Sequence, residues 1–362
     1  MYVAPICDGN SLHKFYIPYS RMLRLNEIFC GTVYGEATSI DIYIDMNSMT
    51  SQLFYSSGSI TGGAEEIAST IINLCAHYRT YYNTRHHVST RFFIVYSPNR
   101  PSYCVERFDE YNSKHTMRCI VNAPVNDMVN KACVLLHDLA PYLPDIFFLC
   151  HANHEVSTLI ADSIIKEDKP YPALVISRDP LTYELTAISP KVHIVIPRKT
   201  KGVDTSRIVN SQSVMAIIMS EAMNHSMPQY RSLSAGLIPL IYTLNGLDRR
   251  SIPMWLNASD TFRVINDAVI YGVIPNVHIE DELIGEYYGL LGIDKFGIPK
   301  EEFCDRYKAL DIFRGIRILQ QEEFISGDLE YKQQTVNIYD PNRVKTINNT
   351  VYAHCPLMLE KL

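Results

Sequence analysis

Three carboxylates in this 362-residue chain stand where a strand-like run gives way to a loop or a helix. Asp45 closes SIDIYID, Asp179 follows ALVIS by two residues, and Glu155 opens a helix-like segment after DIFFL. Ser97 follows RFFIVY in the same way. In open α/β sheets the functional groups gather outside the carboxyl ends of the strands, so these four positions can converge on one rim. Carboxylates assembled there offer the hard oxygen ligands that Mg²⁺ or Mn²⁺ takes. Each also has a purely structural reading. Asp45 suits a turn or a helix N-cap, and Glu155 suits the first turn of a helix, where the dipole favours negative charge.

The elements that would position these residues follow from periodicity. Ile40, Ile42 and Ile44 alternate along a first strand, and Arg91–Tyr96, Asp145–Leu149, Ala173–Ser177 and Val192–Ile196 are short apolar runs with strand character. Between them, Ile67, Ile71, Leu74 and Tyr78 mark one face of a helix. Met128, Ala132, Leu135 and Leu139 mark a second, and Glu155–Ile165 a third. Alternating strands and helices predict an α/β fold with a mainly parallel sheet flanked by helices. Residues 39–196 form this core, preceded by an N-terminal extension, 1–38. Residues 197–285 are predicted to be a helical subdomain, with apolar runs at Val214–Met219, Leu237–Leu244 and Phe262–Ile270 punctuated by Pro239, Gly246 and Pro253. The C-terminal extension, 286–362, carries one predicted helix near Lys300–Leu310.

Composition narrows the function. No apolar stretch is long enough for a membrane span, and the N-terminus lacks the basic-then-apolar order of a signal peptide. Nine scattered cysteines without a CxxC pair predict reduced thiols in an intracellular protein and argue against zinc. The net charge of −6 runs against a duplex-binding protein, which normally carries excess Lys and Arg. Local basic segments remain in PRKTKGVDTSR, with Arg198 and Lys199, and in NGLDRRSIP, with Arg249 and Arg250. High Tyr, Asn and Ile usage hints at an AT-rich genome such as a viral one.

Five segments occur in a fixed order: SIDIYIDMNSM, FFIVYSPNRPSYCVERFDEYNSKH, HANHEVSTLIADSI, ALVISRDPLTYEL and LIPLIYTLNGLDRRSIPMWLNAS. Order and spacing resemble the 5′-nuclease family, the flap-endonuclease-like branch of PIN-type folds, over roughly residues 39–270. DGNSL at Asp8–Leu12 also looks like that family's first motif, but no strand-like run precedes it. The resemblance implies that Asp45, Glu155 and Asp179 are metal-binding and catalytic carboxylates. It implies too that several partners are missing. Ser97 stands at an Asp position, Asn112 at the arch Lys position, Ser157 and Thr158 at two Asp positions, and Leu181 at the second Asp of SRDPL. Leu247 and Arg250 replace the aspartates of the fifth motif, with Asp248 one residue out of register. Lys114 and His115 can partly substitute for the arch lysine. The glycines that would let backbone amides grip phosphate are replaced by MWLNAS.

The ligands for a second ion are therefore mostly gone, whereas two-metal catalysis needs both ions. The expectation is a nuclease-like protein with lost or weakened catalysis, acting as a nucleic-acid-binding or assembly subunit. DNA is favoured over RNA, and protein partners would bind 1–38 and 286–362. The nucleic-acid-binding candidates are Lys114, His115, Arg198, Lys199, Arg249 and Arg250. The first alternative is an active 5′–3′ exonuclease or flap endonuclease holding one Mg²⁺ or Mn²⁺; a degenerate site would hold none. The second, which the acidic charge favours, is a protein-interaction scaffold without nucleic acid.

Overall fold

The computed structural model describes residues 39–49, 63–97, 123–143, 145–151, 154–166, 172–197, 199–200, 203–204, 207–223, 227–247 and 252–326. Five parallel strands, β1 (Ser39–Asp45), β2 (Ser89–Tyr96), β3 (Ile146–Cys150), β4 (Ala173–Ile176) and β5 (Val192–Ile196), lie in the order β3-β2-β1-β4-β5. A two-stranded ribbon follows, β6 (Lys199–Thr200) and β7 (Val203–Asp204), and β8 (Arg207–Val209) then joins the sheet antiparallel to β5. β1 is central, with Asp45 opposite Val95 of β2 and Ile44 opposite Ile176 of β4.

Every residue of β1 is buried, as expected of a parallel strand covered on both faces. Ile40, Ile42 and Ile44 face one core, shared with α1 (Gly63–His86) and α2 (Ala123–Leu139). The periodic residues Ile67, Ile71, Leu74 and Tyr78 of α1 all lie in it. Tyr43 points the other way and stacks on Phe93, which stacks on Phe147, with ring centroids 4.7 and 5.1 Å apart. That second core contains α3 (Val156–Lys166) and the helical half of the chain: α4 (Val214–Met223), α5 (Ile238–Asn245), α6 (Ala258–Ile270), α7 (Ile284–Leu290), α8 (Lys300–Leu310) and α9 (Ile312–Ser326).

The domain limits drawn from sequence do not coincide with packing limits. β8 carries the sheet beyond residue 196, and one continuous core runs from Tyr43 through Leu319. Residues 286–326 are thus built into the fold, with α9 laid across α3, while 1–38 and 327–362 lie outside the described residues. The helix near Lys300–Leu310 is present as expected, and α7 and α9 are additional.

Candidate functional site at the carboxyl rim of the sheet

The parallel register puts the carboxyl ends of β1, β2, β3 and β4 on one edge, so Asp45, Ser97, Glu155 and Asp179 share that rim. Asp45 is the last residue of β1 and is only 1% exposed. One carboxylate oxygen, Oδ2, accepts a 2.5 Å bond from the Ser177 hydroxyl, and the other, Oδ1, accepts from the Ser48 amide at 3.0 Å. The Ser48 and Ser177 hydroxyls are 3.3 Å apart. The Arg178 amide donates to Ser48 Oγ and the Asp179 amide to Ser177 Oγ, each at 3.0 Å. Burial, the largest influence, raises the Asp45 pKa from the ordinary 3.8 to about 6. The Ser177 bond opposes the rise and the charge of Asp179 adds to it.

Asn47 closes the neighbouring gap. Its Nδ2 donates to the Ser97 carbonyl at 2.7 Å and its Oδ1 accepts from the Ser97 amide at 3.0 Å, tying the turn after β1 to the end of β2. Asp179 N-caps the 3₁₀ helix Pro180–Ala187: its Oδ1 accepts from the Leu181 amide at 3.1 Å. Glu155 directly precedes α3 and is half-buried. Ser157 is buried, and its hydroxyl has no hydrogen-bond partner. Thr158 faces α9 instead, where a Cβ on Gly315 would come within 2.6 Å of its hydroxyl.

Asp45, Glu155 and Asp179 do not bring three ligand atoms within 4.8 Å of one another; among the described residues the set that does is Glu184, His278 and Asp311, in the helical half. Asp45 accepts one hydrogen bond on each oxygen, from the Ser177 hydroxyl and the Ser48 amide. Leu247, which the sequence resemblance sets opposite an Asp, is buried in the core, and its backbone pairs with Ile252. Gly246 before it has φ +74°, and a Cβ there would meet the Ile252 carbonyl at 2.7 Å, so glycine is required for the turn. Arg306 of α8 anchors the far side of this loop, donating to the Pro253 carbonyl at 2.6 Å under the Trp255 ring.

Ser48 and Ser177, whose hydroxyls meet at Asp45, belong to none of the motif positions read from the sequence. The available signal was Ser177 itself, a polar residue ending an apolar strand two positions before Asp179. Asn112, Lys114, His115, Arg198, Asp248, Arg249 and Arg250 lie outside the described residues. Lys199 is placed in β6 by its backbone.

No family model and no curated protein matches the sequence. Solved structures do. The bacteriophage T5 D15 protein co-crystallised with metal ions superposes with a TM-score of 0.52 at 11% identity, covering 79% of this chain and 96% of that one. The chain has a 5′-nuclease-like fold. A second T5 structure, a variant of the D15 flap endonuclease in a pseudo-enzyme-product complex with DNA and metal ions, has a TM-score of 0.48 at 12% identity, over 86% and 99% of the two chains. The 5′-nuclease-like fold accounts for the rim as a place where residues from four strand ends meet. At this identity the fold is what is shared, and the chemistry has to be argued from the residues present.

Proposed function

We propose that this chain is a nucleic-acid-binding or assembly protein with a 5′-nuclease-like fold and lost or weakened cleavage activity. One observation supports the reading: Asp45, Glu155 and Asp179 do not bring three ligand atoms within 4.8 Å of one another, and Asp45 is buried and bonded to the Ser177 hydroxyl and the Ser48 amide. Its hydrogen bonds hold the ends of β1 and β4 together, which is a structural task. The burial of Leu247 removes a further carboxylate position. Metal-assisted phosphoryl transfer draws most of its rate acceleration from cations positioned against the developing negative charge. On this reading the rim lacks the second set of cation ligands and with it much of that source of catalysis.

A second reading, an active one-metal nuclease using Asp45, Glu155 and Asp179, is favoured by their common rim and by the buried Ser157 hydroxyl, two residues after Glu155, which has no hydrogen-bond partner. Flapped and single-stranded DNA, incubated with Mg²⁺ or Mn²⁺, separates the two. The proposal expects binding with weak or no cleavage, any residual activity requiring Mn²⁺ and disappearing in Asp45→Ala. Robust Mg²⁺-dependent cleavage abolished by Asp45→Ala would establish the nuclease reading instead. Failure to bind either DNA or RNA would favour a protein-interaction scaffold.

A further inference from the structure

The helical half of the molecule contains a second cluster, unrelated to the rim motifs. Glu184 comes from the 3₁₀ helix after β4, His278 from the segment between α6 and α7, and Asp311 from the junction of α8 and α9. One ligand atom from each lies within 4.8 Å of the other two. Glu184 and Asp311 are buried, and the His278 side chain is 17% exposed, leaving a way in from solvent.

Part of this cluster has ordinary structural work. Glu184 Oε2 accepts from the Ile312 amide at 3.2 Å, and Asp311 Oδ1 accepts from the Phe313 amide at 2.9 Å, so both carboxylates serve the start of α9. The remaining oxygens, Glu184 Oε1 and Asp311 Oδ2, are buried and have no hydrogen-bond partner. Arg317 bonds Asp281 and makes only a long ion pair, 4.0 Å, with Asp311 Oδ2. A buried carboxylate oxygen without a donor costs the desolvation penalty of a charged group. Beyond that long contact with Arg317 and the His278–Asp311 pair, the two oxygens face one another's charge, and a cation between them would offset it.

We propose that Glu184, His278 and Asp311 bind a divalent transition-metal ion, Zn²⁺ foremost, as a clip between the sheet half and the C-terminal helices. The donor set is one imidazole nitrogen and two carboxylates, with a water completing four-coordination. Imidazole selects against Mg²⁺, which prefers all-oxygen shells, and the Irving–Williams order places Zn²⁺ above Mn²⁺ and Fe²⁺. His278 Nε2 and Asp311 Oδ1 are hydrogen-bonded at 2.9 Å, and an ion at this pair would take the place of the proton between them. Ligands about 2.0–2.1 Å from one tetrahedral ion sit slightly over 3 Å from each other. The pair therefore admits an ion after a shift of a few tenths of an ångström. Two carboxylates and a neutral imidazole balance the ion's charge, which suits a buried position. The absence of cysteine pairs does not bear on this site, because no thiolate takes part.

The competing resolution is a proton. Burial and the facing Asp311 push the Glu184 pKa well above the usual carboxylate range, and a protonated Glu184 would ease the repulsion without metal. The test is made on the full chain, stripped with chelator, reloaded with Zn²⁺ and dialysed, with metal content and melting temperature measured. The expected result is one Zn²⁺ per chain and a raised melting temperature. Glu184→Gln and His278→Gln should lose both, and Asp45→Asn should keep both. X-ray absorption on the wild-type chain reports independently of any variant and should show nitrogen and oxygen ligands without sulfur. Wild-type protein that retains no zinc and whose melting is indifferent to Zn²⁺ would leave the cluster to the shared proton and overturn the proposal. Zinc retained in both Gln variants but lost in Asp45→Asn would move the ion to the rim and overturn it equally. None of these outcomes depends on whether the chain cleaves nucleic acid.

Discussion

The Ser177 hydroxyl donates to Asp45 Oδ2 at 2.5 Å across the ends of two adjacent parallel strands, 132 residues apart in sequence. The same hydroxyl accepts from the Asp179 amide, so one serine orders both rim aspartates. Ser177→Ala removes the partner of a buried carboxylate and leaves the Asp179 amide to find another acceptor. A loss of about 1–3 kcal/mol in urea unfolding is expected. The Asp45 pKa should rise further, because the Ser177 bond is the largest influence opposing desolvation. Carboxyl-carbon NMR reads that shift. An unchanged Asp45 titration in the variant would show that the hydroxyl bond does not stabilise the charged form.

The raised Asp45 pKa also sets a pH dependence. Between the ordinary value of 3.8 and about 6, the folded state binds a proton that the unfolded state has released. Stability from this group is therefore fully present below about 4 and is lost as pH rises through about 6. The penalty on the charged form is about 3 kcal/mol. Asp45→Asn keeps the shape without the charge. In chelated buffer it should match wild type near pH 4 and become more stable than wild type above pH 6. A difference that does not vary with pH would show that Asp45 titrates normally.

At the other end of β1, Asp41 is held by Arg91 of β2 through two parallel 2.8 Å bonds, with the Asp41 side chain 3% exposed. The residues are direct register partners. Arg91→Ala leaves a buried carboxylate without its guanidinium and should cost about 3 kcal/mol. Replacing both, as in Asp41→Val with Arg91→Leu, should recover most of that loss, since a well-packed apolar pair often equals a buried ion pair. Equilibrium unfolding of the single and double variants makes the comparison. A double variant no better than Arg91→Ala would mean the ion pair does more than compensate its own burial.

Much of this fold was legible because parallel strands buried on both faces announce themselves as apolar runs. Ile40, Ile42 and Ile44, and the i, i+4 spacing of Ile67 and Ile71, gave the sheet and its first covering helix. The C-terminal helix α9 was harder to see. Gly315 interrupts its pattern, and glycine inside a helix usually argues against one. Its reason is tertiary, since Thr158 of α3 occupies the space where a Cβ would stand. The rim was legible as a set of strand ends, but not in its bonding. Whether an aspartate caps, pairs or ligates depends on hydroxyls such as Ser177 and Ser48, which come together only in the folded sheet. Glu184, His278 and Asp311 are separated by 94 and 33 residues along the chain and have no shared motif, so no local spacing could join them.

Leu247 offers the sharpest test of whether the fifth motif has been rebuilt as packing. It is 8% exposed, belongs to the core with Ile252, and exchanges both backbone hydrogen bonds with it at 3.0 and 3.2 Å. Leu247→Asp places the carboxylate that the 5′-nuclease resemblance lacks, yet it puts a charge among apolar side chains. Removing the buried leucine costs about 2–5 kcal/mol, and an unpaired charge adds to that. The Asp variant should therefore unfold at markedly lower urea than wild type, and at lower urea than Leu247→Asn. It should gain no cleavage with Mg²⁺ or Mn²⁺. The turn at Gly246 resists relief, because its φ of +74° and its closeness to the Ile252 carbonyl fix the direction of the next residue. A Leu247→Asp protein as stable as wild type that cleaves DNA with Mn²⁺ would show that the position still opens onto the site. In that event the rim is one substitution from activity rather than committed to structure.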